Sequence, residues 1–539
     1  MLGMHIADWC VAVCVLAGIV SVGWCAGRRN QTAEEFFVGG RRFGWARLTL
    51  FGLASRTSGD QVANITGLIF RGGLGAIWFQ FLRLPGVPFY WFIAPYLRRA
   101  RVHTTADLFE LRFGATCARL YALFGVLMSV FLLAGGLMCG ASMVQQLTGS
   151  PHAYHVALPI LTASFLLFAV VGGADAIIVA GAVQGVLTLL MTFVVVVAVW
   201  MRFDGMAGLV HAVDALGVQR LLEMDYSREL ATALSKPSLT PFYIVMATVL
   251  GVVGVVASPE LMPMCAAART ETDARIALTL TQWLKRLFSV GWAIIALGGM
   301  ALLLDSETVR TVMSDRTLSV SVFARVAMET LPAGVIGIVM AGACSAVMSI
   351  AALHALVGAS LFAKNLATPL LNKDATDQRM LRITRWTMVC MTFAAGGVAV
   401  VMPGVLRLIE ILISAPVGIG VAFWFGLFWR RFNAAGMIAA SVVGWATWVF
   451  LEWQGGARLV ASVAPTIVTE LAGKREVNDA WLMLLMLTAS IVAAIVATLL
   501  TRPPTDERMR RFDERMRSRE DRPWQMHALA FAGFALASC

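Results

Sequence analysis

Arg56 and Asp60 stand four residues apart in FGLASRTSGDQVANITG (51–67), a run otherwise apolar enough to enter a bilayer. An ionisable side chain at membrane depth is expensive, so each is a functional candidate by default. At i,i+4 spacing on a helix the two share a face and could simply neutralise each other. Arg83, in IWFQFLRLPGVPFYWF, is a second cation of this kind. It could grip a carboxylate with both arms of its guanidinium, or cap carbonyls freed by Pro85 and Pro88. Glu260 follows Ser258-Pro259 inside another apolar run; it could carry a proton, or form a salt bridge with Arg56 or Arg83. Arg407 and Glu410, at i,i+3, read as a plain ion pair, and His354 as a packed histidine rather than a proton relay.

These residues need a scaffold that holds charge inside lipid. The chain has 539 residues, 59% hydrophobic and only 14% charged, with mean hydropathy +0.76, the composition of a polytopic membrane protein. A span takes about 20 helical residues. Thirteen runs qualify, near 4–26, 46–70, 74–97, 117–147, 154–173, 176–201, 241–264, 284–304, 332–363, 384–402, 405–429, 434–453 and 482–501. A fourteenth begins at Trp524 with sixteen residues to Cys539, and reads as an incomplete span or a truncated chain. HExxH, GxSxG and P-loop patterns are absent from the sequence, which argues against an enzyme. The nine cysteines form no CxxC pair and read as small buried thiols, so no cofactor is expected.

Basic residues set the orientation. With the N-terminus outside, the segments 27–47, 98–120, 265–286, 364–385, 430–431 and 502–522 face the cytoplasm and hold 29 of the 43 lysines and arginines. The net charge of +11 is then a signal of topology in a cell membrane and calls for no nucleic acid. The first run lacks a basic leader and reads as a retained anchor. The polar interruptions 202–240 and 454–481 read as external loops, and 502–522 as a charged, solvated helical linker.

Five motifs then occur in order: EEFFVGGRRFGW (34–45), HTTADLFELRFG (103–114), VVGGADAIIVAGAVQGVL (170–187), AGACSAVMSIAALHALVGASL (341–361) and FGLFWRRFNAAGMIAASVVG (425–444). Together they resemble the sodium:solute symporter family, which includes sodium-coupled sugar and proline transporters. The resemblance implies an all-α polytopic membrane protein of about 13–14 transmembrane helices with a five-plus-five inverted-repeat core of the LeuT type. Residues 1–45 would be an N-terminal span and loop, 46–201 the first repeat, 202–240 an external loop, and 241–430 the second repeat. Residues 431–501 would be two peripheral spans with their loop, and 502–539 the linker and incomplete span. Helix breaks are legible without the resemblance: Gly52, Gly59 and Gly67 interrupt the second span, while Ser258-Pro259 and Pro263 interrupt the seventh. Those are the first helices of the two repeats, where unwound backbone should bind ligands.

The resemblance also implies a sodium site between the second and ninth spans. Its carbonyl positions fall on Ala54, Thr57 and Ala346, and its hydroxyl positions on Ser349 and Ile350; Ile350 has no oxygen to give. A family aspartate falls on Gly181, and an aspartate of the proline-transporting members on Arg56. Each change removes negative charge or oxygen from a site for a hard cation. Arg56 is therefore expected either to substitute for sodium, bracing the second span against the ninth, or to pair with Asp60. Solute contacts map onto Asp60, Gln61, Gln80, Arg83, Ser258 and Glu260; the sugar-capping tyrosine of relatives is Glu260 here. The implied function is secondary active transport of a small polar organic solute (sugar, amino acid or carboxylate) by alternating access, with sodium possible as a coupling ion but weakened or lost. A transport-inactive solute sensor is the alternative.

Overall fold

The computed structural model describes residues 4–28, 32–57, 59–81, 84–150, 152–217, 222, 241–304, 316–371, 376–401, 414–471 and 474–517. At 59–60, 316–320, 371, 454, 469–471 and 474–475 it describes the backbone alone. Arg83, Arg407, Glu410 and the run from Trp524 lie outside the described residues, as does the Asp60 side chain.

All thirteen expected spans contain helix among the described residues. In chain order, the helices that matter here are α1 (Ile6–Gly27), α2 (Ala33–Val38), α3 (Trp45–Arg56), α4 (Gly59–Gly72), α5 (Val87–Ala100) and α6 (Thr105–Phe113). After them come α7 (Ala115–Thr148), α8 (Ala153–Arg202), α9 (Pro241–Val255), α10 (Leu261–Ala267), α11 (Glu271–Leu303) and α12 (Arg316–Thr330). The series ends with α13 (Val335–Leu361), α14 (Asp377–Val401), α15 (Val417–Phe428), α16 (Ala434–Glu452), α17 (Asp479–Leu500) and α18 (Asp506–Met516). Eight helices among the described residues are long and apolar enough to cross a membrane. The expected spans 46–70 and 241–264 are each interrupted and hold two shorter helices, α3 with α4 and α9 with α10.

The fifth and sixth spans run on as one helix, α8, bent at Gly173. Its φ of +52° suits glycine alone, and a Cβ there would sit 2.5 Å from the Phe36 carbonyl oxygen. At the centre is α13, almost wholly buried and packed against α7 and α8. Its small residues allow that approach, since lipid supplies no hydrophobic drive and close packing must hold helices together. A Cβ on Gly342 would meet Met191 Cβ at 2.8 Å, and one on Gly358 would meet Ser129 Cβ at 2.7 Å. The buried Asp8 of α1 accepts from the backbone N–H of Gly334 (2.6 Å) and Gly337 (3.1 Å), satisfying donors that the start of α13 leaves free.

Three expectations change. The helix of the eighth span begins at Glu271 rather than near 284, capped by Thr270, whose hydroxyl accepts from the Asp273 N–H. The interruptions 202–240 and 454–481 are not plain loop: the first holds a helix, Met206–Asp214, and the second a helix, Gln454–Val463, and an antiparallel hairpin of β1 (Val468–Leu471) and β2 (Lys474–Val477), with Val468 opposite Val477. The linker helix α18 is not simply solvated. Phe512 is buried, Arg508 donates to the Phe113 carbonyl (3.1 Å), Arg99 donates to the Met516 carbonyl (3.4 Å), and Arg430 pairs with Asp513.

These contacts bring the basic segments together at one end of the bundle. Arg98 donates to the Ala268 (2.7 Å) and Arg269 (3.1 Å) carbonyls, and Arg112 to those of Gly426 (2.8 Å) and Trp429 (3.1 Å). Each guanidinium thereby occupies carbonyls left open at a helix C-terminus. Arg42 pairs with the buried Asp175 beside the α8 bend. Backbone closes the same end: Phe43 and Ala268 form a parallel bridge, with Phe43 N donating to Ala267 O (3.1 Å) and Arg269 N to Phe43 O (2.9 Å).

Candidate functional site

Both repeats open with a broken helix. α3 stops at Arg56, Thr57 leaves helical geometry at φ −126°, ψ 86°, and α4 restarts at Gly59. α9 stops at Val255 and α10 restarts at Leu261, the gap spanning Ser258-Pro259 and Glu260. Proline has no N–H to continue the ladder, and it pushes the preceding residue out of helical geometry. Carbonyls freed at such breaks need partners in a dry interior. Lys285 Nζ donates to the Arg56 carbonyl at 2.7 Å, and Tyr121 Oη donates to the Ala257 carbonyl at 2.8 Å. Each break is thus held by a side chain from a neighbouring helix, α11 for the first and α7 for the second.

The Arg56 guanidinium bridges the two breaks. Its Nη2 lies 3.5 Å from Glu260 Oε1, and its Nη1 donates to Tyr90 Oη at 3.4 Å, with the guanidinium carbon 5.7 Å above the Tyr90 ring. Both charges are largely withdrawn from solvent, at 12% and 14% exposure, so they act on each other with little screening. The hydrogen-bond and ion-pair partners of Arg56 among the described residues lie on α5 and at the second break. A charge of opposite sign was available there, and a guanidinium cannot shed its proton to avoid burial.

The remaining sodium-site positions form a second group on α3, α8 and α13. Ala54, Ala346, Ser349 and Ile350 are buried. At Gly181 a Cβ would fall 2.4 Å from Phe51 Cδ2 and 3.1 Å from Ser349 Oγ. Phe51 therefore fills the space that the family's aspartate would need. Around the breaks several buried polar atoms have no hydrogen-bond partner among the described residues: Thr57 Oγ1, Gln61 Oε1, Glu260 Oε2, Ser349 Oγ and His354 Nδ1. Unpaired buried groups are costly, and their clustering beside helix breaks suits a polar ligand. Ser258 joins this region through its backbone, its carbonyl accepting from Leu261 N at 3.3 Å. Gln80 sits half-buried on a short helix, Trp78–Phe81.

Sequence reasoning missed Lys285, Tyr90 and Tyr121. Tyr90 and Tyr121 gave no signal, being aromatic residues in apolar spans. Lys285 was hidden by the late placement of the eighth span, which made it a terminal basic residue. The signal was present in TETD (270–273), where a threonine stands three residues before an aspartate, the mark of a helix start.

A third group sits at the basic end. Lys364 and Asn365, in the wide-turned helix Phe362–Ala367 that ends α13, both reach Asp107, at 2.7 and 2.8 Å. Lys364 Nζ is also 3.0 Å from His103 Nδ1. Burial first, and then the Lys364 charge, lower the His103 pKa to about 4. Burial alone would raise that of Asp107, but Lys364, Asn365 and the Thr104 backbone outweigh it and hold the carboxyl below its ordinary value. The cluster fastens α6 of the first repeat to α13 of the second.

Known proteins agree with this architecture. The osmoregulated proline transporter OpuE of Bacillus subtilis is 22% identical over 512 residues, covering 91% of this chain and 94% of its own. A sodium/pantothenate symporter of Escherichia coli is 23% identical over 491 residues, covering 86% and 95%. Among solved structures, a Na+-coupled sialic acid symporter in a substrate-bound outward-open state superposes with a TM-score of 0.72 at 13% identity, over 93% of this chain and 99% of its own; at that identity the likeness concerns the fold. A family profile described as the sodium:solute symporter family matches residues 36–444, and the chain belongs to that family.

Proposed function

We propose that the chain is a secondary active transporter moving a small polar organic solute by alternating access, with fixed cations in place of much of the sodium coupling of its relatives. Relatives named for proline, pantothenate and glucose support the solute class. The observation that carries the coupling claim is at the first break. Lys285 Nζ occupies the Arg56 carbonyl at 2.7 Å, and the Arg56 guanidinium faces Glu260. A mobile cation bound near these two charges would meet repulsion of about 4 kcal/mol per charge at 4 Å and an effective dielectric constant of about 20. Ile350 and Gly181 take away oxygens that would offset it. In this reading the basic end is cytoplasmic and the N-terminus outside, because basic loops stay inside.

The test is solute uptake into proteoliposomes, with proline and pantothenate as the first solutes and with or without an inward sodium gradient. We expect flux with less than about twofold sodium stimulation; strong stimulation sinks the coupling claim. Saturable binding by calorimetry without any flux would instead identify the sensor.

A further inference from the structure

We propose that the cleft between α8 and α14, at the end of the bundle carrying the basic segments, holds the headgroup of an anionic phospholipid. The cleft has a volume of about 500 Å³. Gln378, Arg382, Arg385 and Val389 line it at i, i+4, i+7 and i+11, one continuous side of α14, and Val170 of α8 forms the facing wall. Neither arginine has an acidic partner among the described residues. Arg385 Nε is buried without a hydrogen-bond partner, and its guanidinium carbon lies 5.4 Å above the Phe36 ring. Two cations beside one cavity require a counter-anion if that cavity is to be drained of water.

The rest of the lining selects the kind of anion. Val170 and Val389 offer hydrocarbon next to the charges, which favours a ligand with an acyl chain over a hydrated inorganic ion. Trp386, also in the lining, is 67% exposed, as tryptophans are where headgroups meet hydrocarbon. The depth is right as well. Val170 precedes by three residues the Gly173 bend that packs on Phe36, and Asp175 beyond it pairs with Arg42. The cleft therefore opens where apolar span gives way to basic segment, and basic pockets between spans at that level recognise lipid headgroups. None of its lining residues belongs to the helix breaks, so the site is separate from the solute site.

The experiment uses the purified full chain in detergent, with native mass spectrometry and thermal melts against dioleoyl phosphatidylglycerol, dioleoyl phosphatidylcholine and inorganic phosphate. Phosphatidylglycerol is expected to bind and raise the melting temperature, while the other two do neither. In the double variant Arg382→Gln/Arg385→Gln its affinity should fall about 30-fold, from about 1 kcal/mol per arginine. Equal phosphatidylglycerol binding by that variant, equal protection by phosphatidylcholine, or full protection by inorganic phosphate alone would overturn the proposal. Should the double variant lack a cooperative melt, Val170→Trp decides. It fills the apolar wall and keeps both charges, and unchanged phosphatidylglycerol affinity there would refute the site.

Discussion

At the scale of single residues, the Arg56–Glu260 pair is the feature whose removal should be felt most. Arg56→Gln leaves a buried carboxylate without its cation and is expected to cost about 3–5 kcal/mol. Adding Glu260→Gln should recover much of that loss, because two neutral amides fill similar space. A double-mutant cycle on thermal or denaturant stability measures the coupling; additive single effects would show that the two charges do not interact. Gly181→Asp tests the neighbouring group. The new side chain must displace Phe51, costing about 1–3 kcal/mol by overpacking, and sodium stimulation should not appear. Recovery of sodium dependence in that variant would mean that Phe51 yields. Arg56 and Glu260 were legible because charge inside an apolar run stands out, whereas Lys285 was masked by the late placement of its span. Tyr90 and Tyr121 were not, since nothing local separates a tyrosine that meets a buried guanidinium or holds a freed carbonyl from one that merely packs.

At the scale of elements, the join between α6 and α13 should respond to acid. His103 is held neutral in the fold down to about pH 4, whereas an unfolded histidine takes a proton near 6.5. Between those values the unfolded chain binds more protons, so stability rises with pH across the window and is lost as pH falls through it. His103→Gln should flatten the stability profile between pH 4 and 6.5; an unchanged slope would mean that another group titrates there. Asp107, with its lowered pKa, contributes down to more acidic conditions and should sharpen the loss below pH 4. The paired helix breaks could be read from Gly59 and Ser258-Pro259, because glycine and proline act locally. The docking of α18 could not: Phe512 is one apolar residue in a highly charged stretch, and its contact with the α6 region joins residues some 400 positions apart, a pairing outside the reach of local pattern.

For the whole molecule, the multi-pass architecture was legible in hydropathy because bilayer thickness imposes a length on every span. Order of motifs pointed to the inverted-repeat fold better than any one motif could. α18 ties α5 and α6 to Arg430, at the end of the segment expected as the second repeat. Phe512→Ala should therefore speed hydrogen exchange at 102–113 while the global melting temperature changes little. Protection there equal to wild type would show α18 to be a bystander.

The bridge between Phe43 and Ala268 is made of main-chain atoms contributed by the segment just before α3 and by the residue that follows α10. Ordinary side-chain replacement cannot delete it; among single substitutions, proline at 43 or 269 removes the donating N–H outright. A contact carried by backbone is indifferent to most changes of side chain at its own positions, whereas a solute contact made by side chains is not. Solute choice could thus diversify at one level of the molecule while this backbone join stays as it is at another.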